Sequence, residues 1–96
     1  MKLQRIVKSD REGKKWKAEF IQDNGRTKTT HFGASGMQDY TQHHDKERRE
    51  RYRQRHKKDL DTKDPTRAGF LSYYILWGDS TSFDSNVRAY KSRFNL

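Results

Sequence analysis

Alternation of apolar and polar positions dominates the first third of the chain, residues 1–33. Residues 3–9 and 16–21 each alternate with the period of two that places successive side chains on opposite faces of a strand. Asn24-Gly25 tolerates the positive φ angles of a two-residue type I′ turn, and residues 26–32 supply a third run rich in β-branched Thr. The pattern predicts a three-stranded antiparallel β-meander.

The same pattern predicts how the second and third strands pair. If Asn24-Gly25 is a two-residue loop, Phe20 lies opposite Thr29 and Ala18 lies opposite His31. An isolated sheet of this size needs other elements packed on its apolar face. The rest of the chain is therefore expected to cover it.

A second segment, residues 45–58, is composed of good helix formers but has almost no apolar stripe. At about 100° per residue, the positions spaced like those of a core-facing stripe carry mostly polar side chains. These positions are Asp45, Arg49, Tyr52 and His56. Such a helix either packs through a hydrogen-bonded network or lies at the periphery with its charges facing a partner.

Residues 68–77 form the most apolar run of the chain, and a central helix is predicted over residues 65–77. Asp64 as N-cap followed by Pro65 is a helix start signal, and Gly78 is a natural helix stop.

A last helix is predicted over residues 81–94, where apolar side chains recur at amphipathic spacing. The members of this stripe are Phe83, Val87, Tyr90 and Phe94. Together these elements predict an α+β fold: a β-meander followed by about three helices in a single small domain, residues 1–96.

Charge changes this picture of an ordinary small domain. The net charge is +9, from 22 Lys and Arg against 13 Asp and Glu. The excess lies in two blocks: residues 1–33 carry nine basic against four acidic side chains, and residues 44–58 carry eight against three. A clustered basic surface attracts polyanions over long distances.

The basic residues that we expect to contact phosphate lie on the predicted hairpin edge and on the predicted basic helix. They are Lys14, Lys15, Lys17, Arg48, Arg49, Arg51, Arg53, Arg55, Lys57 and Lys58. Contacts to phosphate give affinity and salt dependence without sequence reading. The aromatic residues are expected in the core rather than on a base-stacking platform, which favours duplex DNA over a single strand.

Other function classes find little support. The chain has no Cys, which excludes disulfides and thiol chemistry. The four His lack the spacings of a metal site, and no serine elbow or phosphate-binding loop is present. The N-terminus does not have the pattern of a signal peptide, and no apolar run approaches the length of a membrane span. We therefore expect no enzyme, no cofactor, no metal and no membrane partner.

Several short motifs follow one another in a distinctive order along the chain. They are His31-Phe32-Gly33, Asp39-Tyr40-Thr41, His44 with Arg48, Arg51-Tyr52 with Arg55-His56, Asp64-Pro65, Ala68-Gly69 with Leu71-Ser72, Ile75-Leu76-Trp77-Gly78, and Tyr90 with Arg93-Phe94. In this order, over roughly residues 16–94, the chain resembles uncharacterised small proteins encoded by large DNA viruses of algae and protists. The resemblance implies a viral origin and carries over no functional residue.

Two functions fit these observations best, and a regulator of a host or viral protein is a third. The first is a non-enzymatic viral protein that binds nucleic acid through sequence-independent phosphate contacts. The alternative is a minor structural protein of the capsid or virion, whose basic surface meets acidic surfaces of other virion proteins. In both cases the expected location is the virion or the interior of the infected host cell, and the oligomeric state stays open.

Overall fold

The N-terminal third folds into a sheet of three antiparallel strands, β1 (Lys2–Lys8), β2 (Lys14–Ile21) and β3 (Thr27–Ala34), in that spatial order. The structure is a computed structural model that describes residues 1–96. The predicted β-meander is confirmed, and with the helices that follow it the fold is α+β.

The turn between β2 and β3 has three loop residues, 23–25, not the predicted two. The Gln22 N–H donates to the Arg26 carbonyl at 2.8 Å, and the Gly25 N–H donates to the Gln22 carbonyl at 2.9 Å. Within this loop only Gly25 has a positive φ, at 83°. A type I turn followed by one left-handed Gly is the usual three-residue hairpin loop.

This extra loop residue shifts the predicted pairing of β2 with β3 by one position. The observed pairs are Phe20–Lys28 in place of Phe20–Thr29, and Ala18–Thr30 in place of Ala18–His31. The predicted register was wrong because Asn24-Gly25 occurs in both loop types. Burial favours the observed register, since it places Phe32 beside Trp16 on the face that carries Ala18 and Phe20.

Strand β1 contains an irregularity that its alternating pattern does not reveal. Leu3 pairs with Phe20 and Arg5 pairs with Glu19, so Gln4 is an extra residue. This β-bulge lets Leu3 and Ile6, three positions apart, both pack against the core.

Five helical segments follow the sheet. They are α1 (Tyr40–His43), α2 (Lys46–His56), a 3-10 helix (Lys57–Thr62), α3 (Ala68–Leu71) continued by a π-helical segment (Ser72–Leu76), and α4 (Phe83–Arg93). The predicted basic helix over 45–58 is therefore shorter: Asp45 is its N-cap, and Lys57 and Lys58 belong to the 3-10 helix.

Helix α1 was not predicted, although its start has a clear signal. The Asp39 side chain accepts from the Thr41 N–H at 3.0 Å, and the Gln42 side chain accepts from the Asp39 N–H at 3.1 Å. This reciprocal pair is a capping box. Helix α1 ends at His44 in the left-handed region, and Asp45 immediately caps α2.

The apolar helix begins at Ala68, three residues later than predicted. Asp64 does not cap it; its carboxylate accepts from the Thr66 N–H at 2.9 Å and from the Thr66 hydroxyl at 2.6 Å. Thr66 is held against the sheet because its carbonyl accepts from the Thr30 hydroxyl at 2.7 Å. Anchoring to β3 thus turns the segment around Pro65 into a tight turn, which overrides the sequence signal.

The apolar helix ends in a π-helical turn in which the Trp77 N–H donates to the Ser72 carbonyl at 3.0 Å. Buried Asn86 of α4 completes this end by donating to the carbonyls of Ile75 and Ser80, both at 2.8 Å. One buried amide therefore joins α4, the apolar helix and the connection between them.

Gly78 stops the helix as predicted, but for a different reason. It is not among the glycines with positive φ. A Cβ at this position would lie 2.2 Å from the Tyr74 carbonyl oxygen and 2.8 Å from Asn86 Cγ. Glycine is required here because the backbone approaches its neighbours closely.

The core lies between one face of the sheet and the apolar helix with α4. Its buried side chains are Leu3, Ala18, Phe20, Phe32, Tyr40, Phe70, Leu71, Ile75, Leu76, Trp77 and Tyr90. The predicted stripe of α4 faces this core: Tyr90 is fully buried, and Phe83, Val87 and Phe94 pack against it. The predicted bounds 81–94 hold to within two residues.

Replacement of Gly78 by alanine is expected to lower the free energy of unfolding by about 3 kcal/mol, because the new Cβ would overlap the Tyr74 carbonyl. Gly36→Ala is the control: its Cβ would meet nothing within 4 Å, although its φ is +86°. That variant should lose only about 1–2 kcal/mol from backbone strain. Urea unfolding followed by Trp fluorescence checks both, and equal losses would contradict the close-approach explanation.

Candidate functional site

Helix α2 is attached to the domain through a column of stacked rings rather than an apolar face. None of its residues is buried. The Tyr52 ring lies 4.3 Å from the Trp77 ring at an interplanar angle of 5°, and 4.1 Å from the His56 ring at 25°. Trp77 covers one face of Tyr52 and His56 the other. This column accounts for two members of the polar stripe seen in the sequence.

Two arginines of α2 point inward and are used to hold the helix in place. The Arg53 Nε donates to the Trp77 carbonyl at 2.9 Å, and its terminal nitrogen lies 2.9 Å from the Asp79 carboxylate. Arg49 donates to the Asp79 carbonyl at 3.3 Å, and its guanidinium lies 4.9 Å from the Tyr40 ring centre. The Arg53 hydrogen bond is the main reason that the pKa of Asp79 is lowered.

The hairpin lysines are also mostly engaged within the protein. Lys15 Nζ lies 2.8 Å from the buried Asp39 carboxylate, and only 16 % of its side chain is exposed. Lys17 Nζ lies 3.6 Å from Asp10. Lys14 is exposed and has no carboxylate partner, so it is the lysine of this edge that is free to meet an anion.

The remaining cations form an exposed surface, here called the basic face, made of Arg48, Arg51, Arg55, Lys57 and Lys58. Spacings of three and four residues place the three arginines on one stripe of α2. Arg51 has one weak ion pair with Glu47, at 3.9 Å and largely exposed; the others have no carboxylate partner. The sequence therefore identified ten cations, and the structure leaves six of them exposed: Lys14 and the five of the basic face.

A groove of about 440 Å³ opens beside the basic face, between the sheet, α2 and the apolar helix. Lys14 and Arg55 lie at this groove, and Tyr52 and His56 form its aromatic wall. Gly69 lies against Asp59 in the lining of this groove, where a Cβ would lie 2.9 Å from Asp59 Cβ. We call this the α2 groove.

The His56 ring is held from two sides. Its Nδ1 lies 3.0 Å from Asp59 Oδ2, while Tyr52 stacks on one face. About 40 % of the His56 side chain is exposed. Burial raises the pKa of Tyr52 to about 12, and its hydrogen bond with Ser72 partly opposes this shift. The phenol beneath His56 is therefore neutral at physiological pH.

The other helical histidine, His43, is half-buried and packs against Trp77. Its Nδ1 accepts from the Asp45 N–H at 2.9 Å, and its ring lies 5.2 Å from Trp77. Burial, with the charge of Arg48, lowers the pKa of His43. Its Nε2 is buried without a hydrogen-bond partner.

The geometry of the side chains and helices also bears on a metal site and on a membrane-spanning helix. No group of three or more His, Asp or Glu side chains is arranged to hold a metal ion. None of the helices combines the length and the apolar surface that spanning a bilayer requires.

A family model described as a family of unknown function, DUF5754, matches residues 4–56. The chain belongs to the DUF5754 family. The matched span covers the sheet, α1 and α2, and so contains every predicted phosphate-contacting residue except Lys57 and Lys58. Neither a curated protein nor a solved structure matches this DUF5754 chain. The resemblance to viral proteins stays a prediction.

Sequence reasoning missed the α2 groove and the pairing of His56 with Asp59. Their spacing of three residues was visible, but it falls across the junction of α2 with the 3-10 helix. The residues opposite them, Lys14 and Gly69, come from distant parts of the chain, and no local pattern indicates that they meet.

The two arginines 51 and 53 should differ sharply when each is replaced by alanine. Arg53→Ala removes charged hydrogen bonds to Trp77 and Asp79 and should cost about 1.5–3 kcal/mol of unfolding free energy. Arg51→Ala removes only an exposed pair and should change it by less than about 0.5 kcal/mol. Thermal unfolding followed by circular dichroism compares them; a matching loss for both would contradict the inward assignment of Arg53.

Stability should fall at alkaline pH in part because of Tyr52. The unfolded phenol loses its proton above about pH 10, whereas the folded protein retains it up to about pH 12. The folded state then binds more protons, so this contribution is present below pH 10 and is lost as pH rises from 10 to 12. Tyr52→Phe, which keeps the stacked ring, should fall less steeply by up to about 1.4 kcal/mol per pH unit in urea unfolding. Parallel curves for the two proteins would contradict the burial of this hydroxyl.

Proposed function

We propose that this protein is a non-enzymatic nucleic-acid-binding protein that contacts phosphates without reading sequence. The observation that carries the proposal is the basic face: three exposed arginines on one stripe of α2 and two exposed lysines beside Arg55, four of the five with no carboxylate partner. Unpaired Lys and Arg gain most from phosphate, because binding releases the counterions condensed on the nucleic acid.

The structure narrows the set of residues in this proposal. Lys15, Arg49 and Arg53 already have protein partners and small exposure, so moving them to a phosphate would break contacts that hold the domain together. Lys17 has a longer ion pair, with Asp10, at 3.6 Å. The proposed contacts are Lys14 and the basic face.

The arginines of the basic face suit this role geometrically. Arg48, Arg51 and Arg55 project from one stripe of a capped helix, so their guanidinium groups form a row rather than a scattered set. A planar guanidinium binds two phosphate oxygens at once. With a net charge of +9, the surrounding field also favours encounter with a polyanion.

The resemblance to proteins of large DNA viruses suggests which nucleic acid the protein binds and where it acts. There the abundant polyanion is the viral genome, and the site of action is the virion or the infected cell. Contact with acidic virion proteins is the competing outcome, and a test with DNA alone separates the two.

Affinity for random duplex DNA should fall steeply with salt and should be equal for unrelated sequences. The triple variant Arg48→Ala, Arg51→Ala, Arg55→Ala should bind all sequences more weakly, with the slope of log affinity against log salt reduced by about three. Fluorescence anisotropy across a salt series measures both quantities.

A matched control replaces three exposed cations elsewhere: Lys2 on β1, Arg26 in the β2–β3 turn and Lys91 on α4. This variant has the same net charge as the first, so any general charge effect is equal in the two. If the two triple variants weaken binding equally, the basic face has no special role. Absence of DNA binding at low salt would overturn the proposed function.

A further inference from the structure

The aromatic column of α2 is open at one end. Trp77 is buried, Tyr52 lies on it, and His56 lies on Tyr52 with about 40 % of its side chain exposed. Tyr52 covers one face of the imidazole, and the His56 side chain also lines the α2 groove. Exposed flat rings beside a charged groove are the platforms on which unpaired bases stack.

The His56 ring is also fixed in orientation. Its contact with Asp59 at 3.0 Å and its stacking on Tyr52 at 4.1 Å restrain both side-chain torsions. A restrained ring loses little conformational freedom when a base stacks on it. The column beneath it, anchored on Trp77 in the core, supports it from behind.

Cations surround this platform on both sides. Lys14 and Arg55 line the α2 groove, and Arg55 also borders a shallow depression with Lys57 and Lys58. Carboxylates are present too: Asp59 is paired with His56, and Asp61 lies exposed in the depression. The balance at the open end of the column is positive, as a phosphate-bearing ligand requires.

The groove volume of about 440 Å³ falls within the range of sites for small ligands, which suits one nucleotide rather than a helix. In a duplex the faces of the bases are covered by their neighbours, so a duplex could reach the basic face but not stack on His56. An unpaired nucleotide could use both features.

We propose that the α2 groove binds an unpaired nucleotide of a single-stranded nucleic acid, with its base stacked on the exposed face of His56 and its phosphates held by Arg55 and Lys14. This inference rests on the proposed function and changes its preferred ligand from duplex DNA to a single strand. The protein would then bind both forms through the basic face and add a stacking contact for the single strand alone.

Three labelled DNA probes with the same number of phosphates test this inference: a thymidine oligomer, a duplex of two fully complementary strands, and an oligomer whose sugars carry no bases. At moderate salt the thymidine oligomer should bind about tenfold more tightly than the abasic one, since the phosphates are equal and only stacking differs.

Variants assign the stacking contact to one residue. His56→Ala should lower affinity for the thymidine oligomer about tenfold and leave the duplex and the abasic strand unchanged. His56→Phe, which keeps a flat ring but not the contact with Asp59, should restore binding. Arg51→Ala is the control within the basic face, because it should weaken all three probes by the same factor. Circular dichroism confirms that each variant is folded.

The outcomes separate the two proposals. Equal binding of all three probes, or a His56→Ala variant that still prefers the thymidine oligomer, overturns the stacking site and leaves phosphate binding intact. Failure of His56→Phe to restore the preference would show that a flat ring at position 56 does not provide the contact and would also overturn it. If none of the probes binds at low salt, the proposed function and this inference both fail.

Discussion

A helix without an apolar face needs another means of attachment, and in this protein the stack of Tyr52 on Trp77 provides it. The indole belongs to the core, whereas the phenol belongs to a helix with no buried residue. Arg49 and Arg53 surround this contact with hydrogen bonds to the chain beside Trp77. Together these contacts position the charges of α2 and one side of the α2 groove.

The stack also explains how one arginine-rich segment serves two purposes. Contacts with the chain beside Trp77 leave Arg49 and Arg53 half-buried, whereas Arg48, Arg51 and Arg55 are exposed to solvent. The first set satisfies carbonyl oxygens and Asp79, which side chains of a purely apolar face could not do. The second set remains available to an external anion. Composition alone does not distinguish the two sets.

Local sequence patterns predicted the strands and helices well, but predicted strand pairing and contacts between distant segments poorly. Alternation identified the three strands, and the stripe through Phe83 and Tyr90 identified α4 to within two residues at each end. The pairing of β2 with β3 was wrong because Asn24-Gly25 fits two loop lengths. Likewise, no pattern in the sequence indicates that Lys15 reaches Asp39 or that Lys14 meets Arg55 across a groove, since such contacts arise only when distant segments fold together.

The π-helical turn before Trp77 has a geometric consequence for the whole architecture. Such a turn contains one residue more than an α-turn, so Trp77 at its end is rotated by about 100° relative to its place in a regular helix. A regular helix would therefore direct the Trp77 indole away from Tyr52. The extra residue in this turn therefore changes the direction of the Trp77 side chain so that it meets Tyr52 of α2. The hydrogen bond from Asn86 to the Ile75 carbonyl stabilises the turn. The number of residues in one helical turn, as much as side-chain chemistry, thus decides whether the core indole and α2 come into contact.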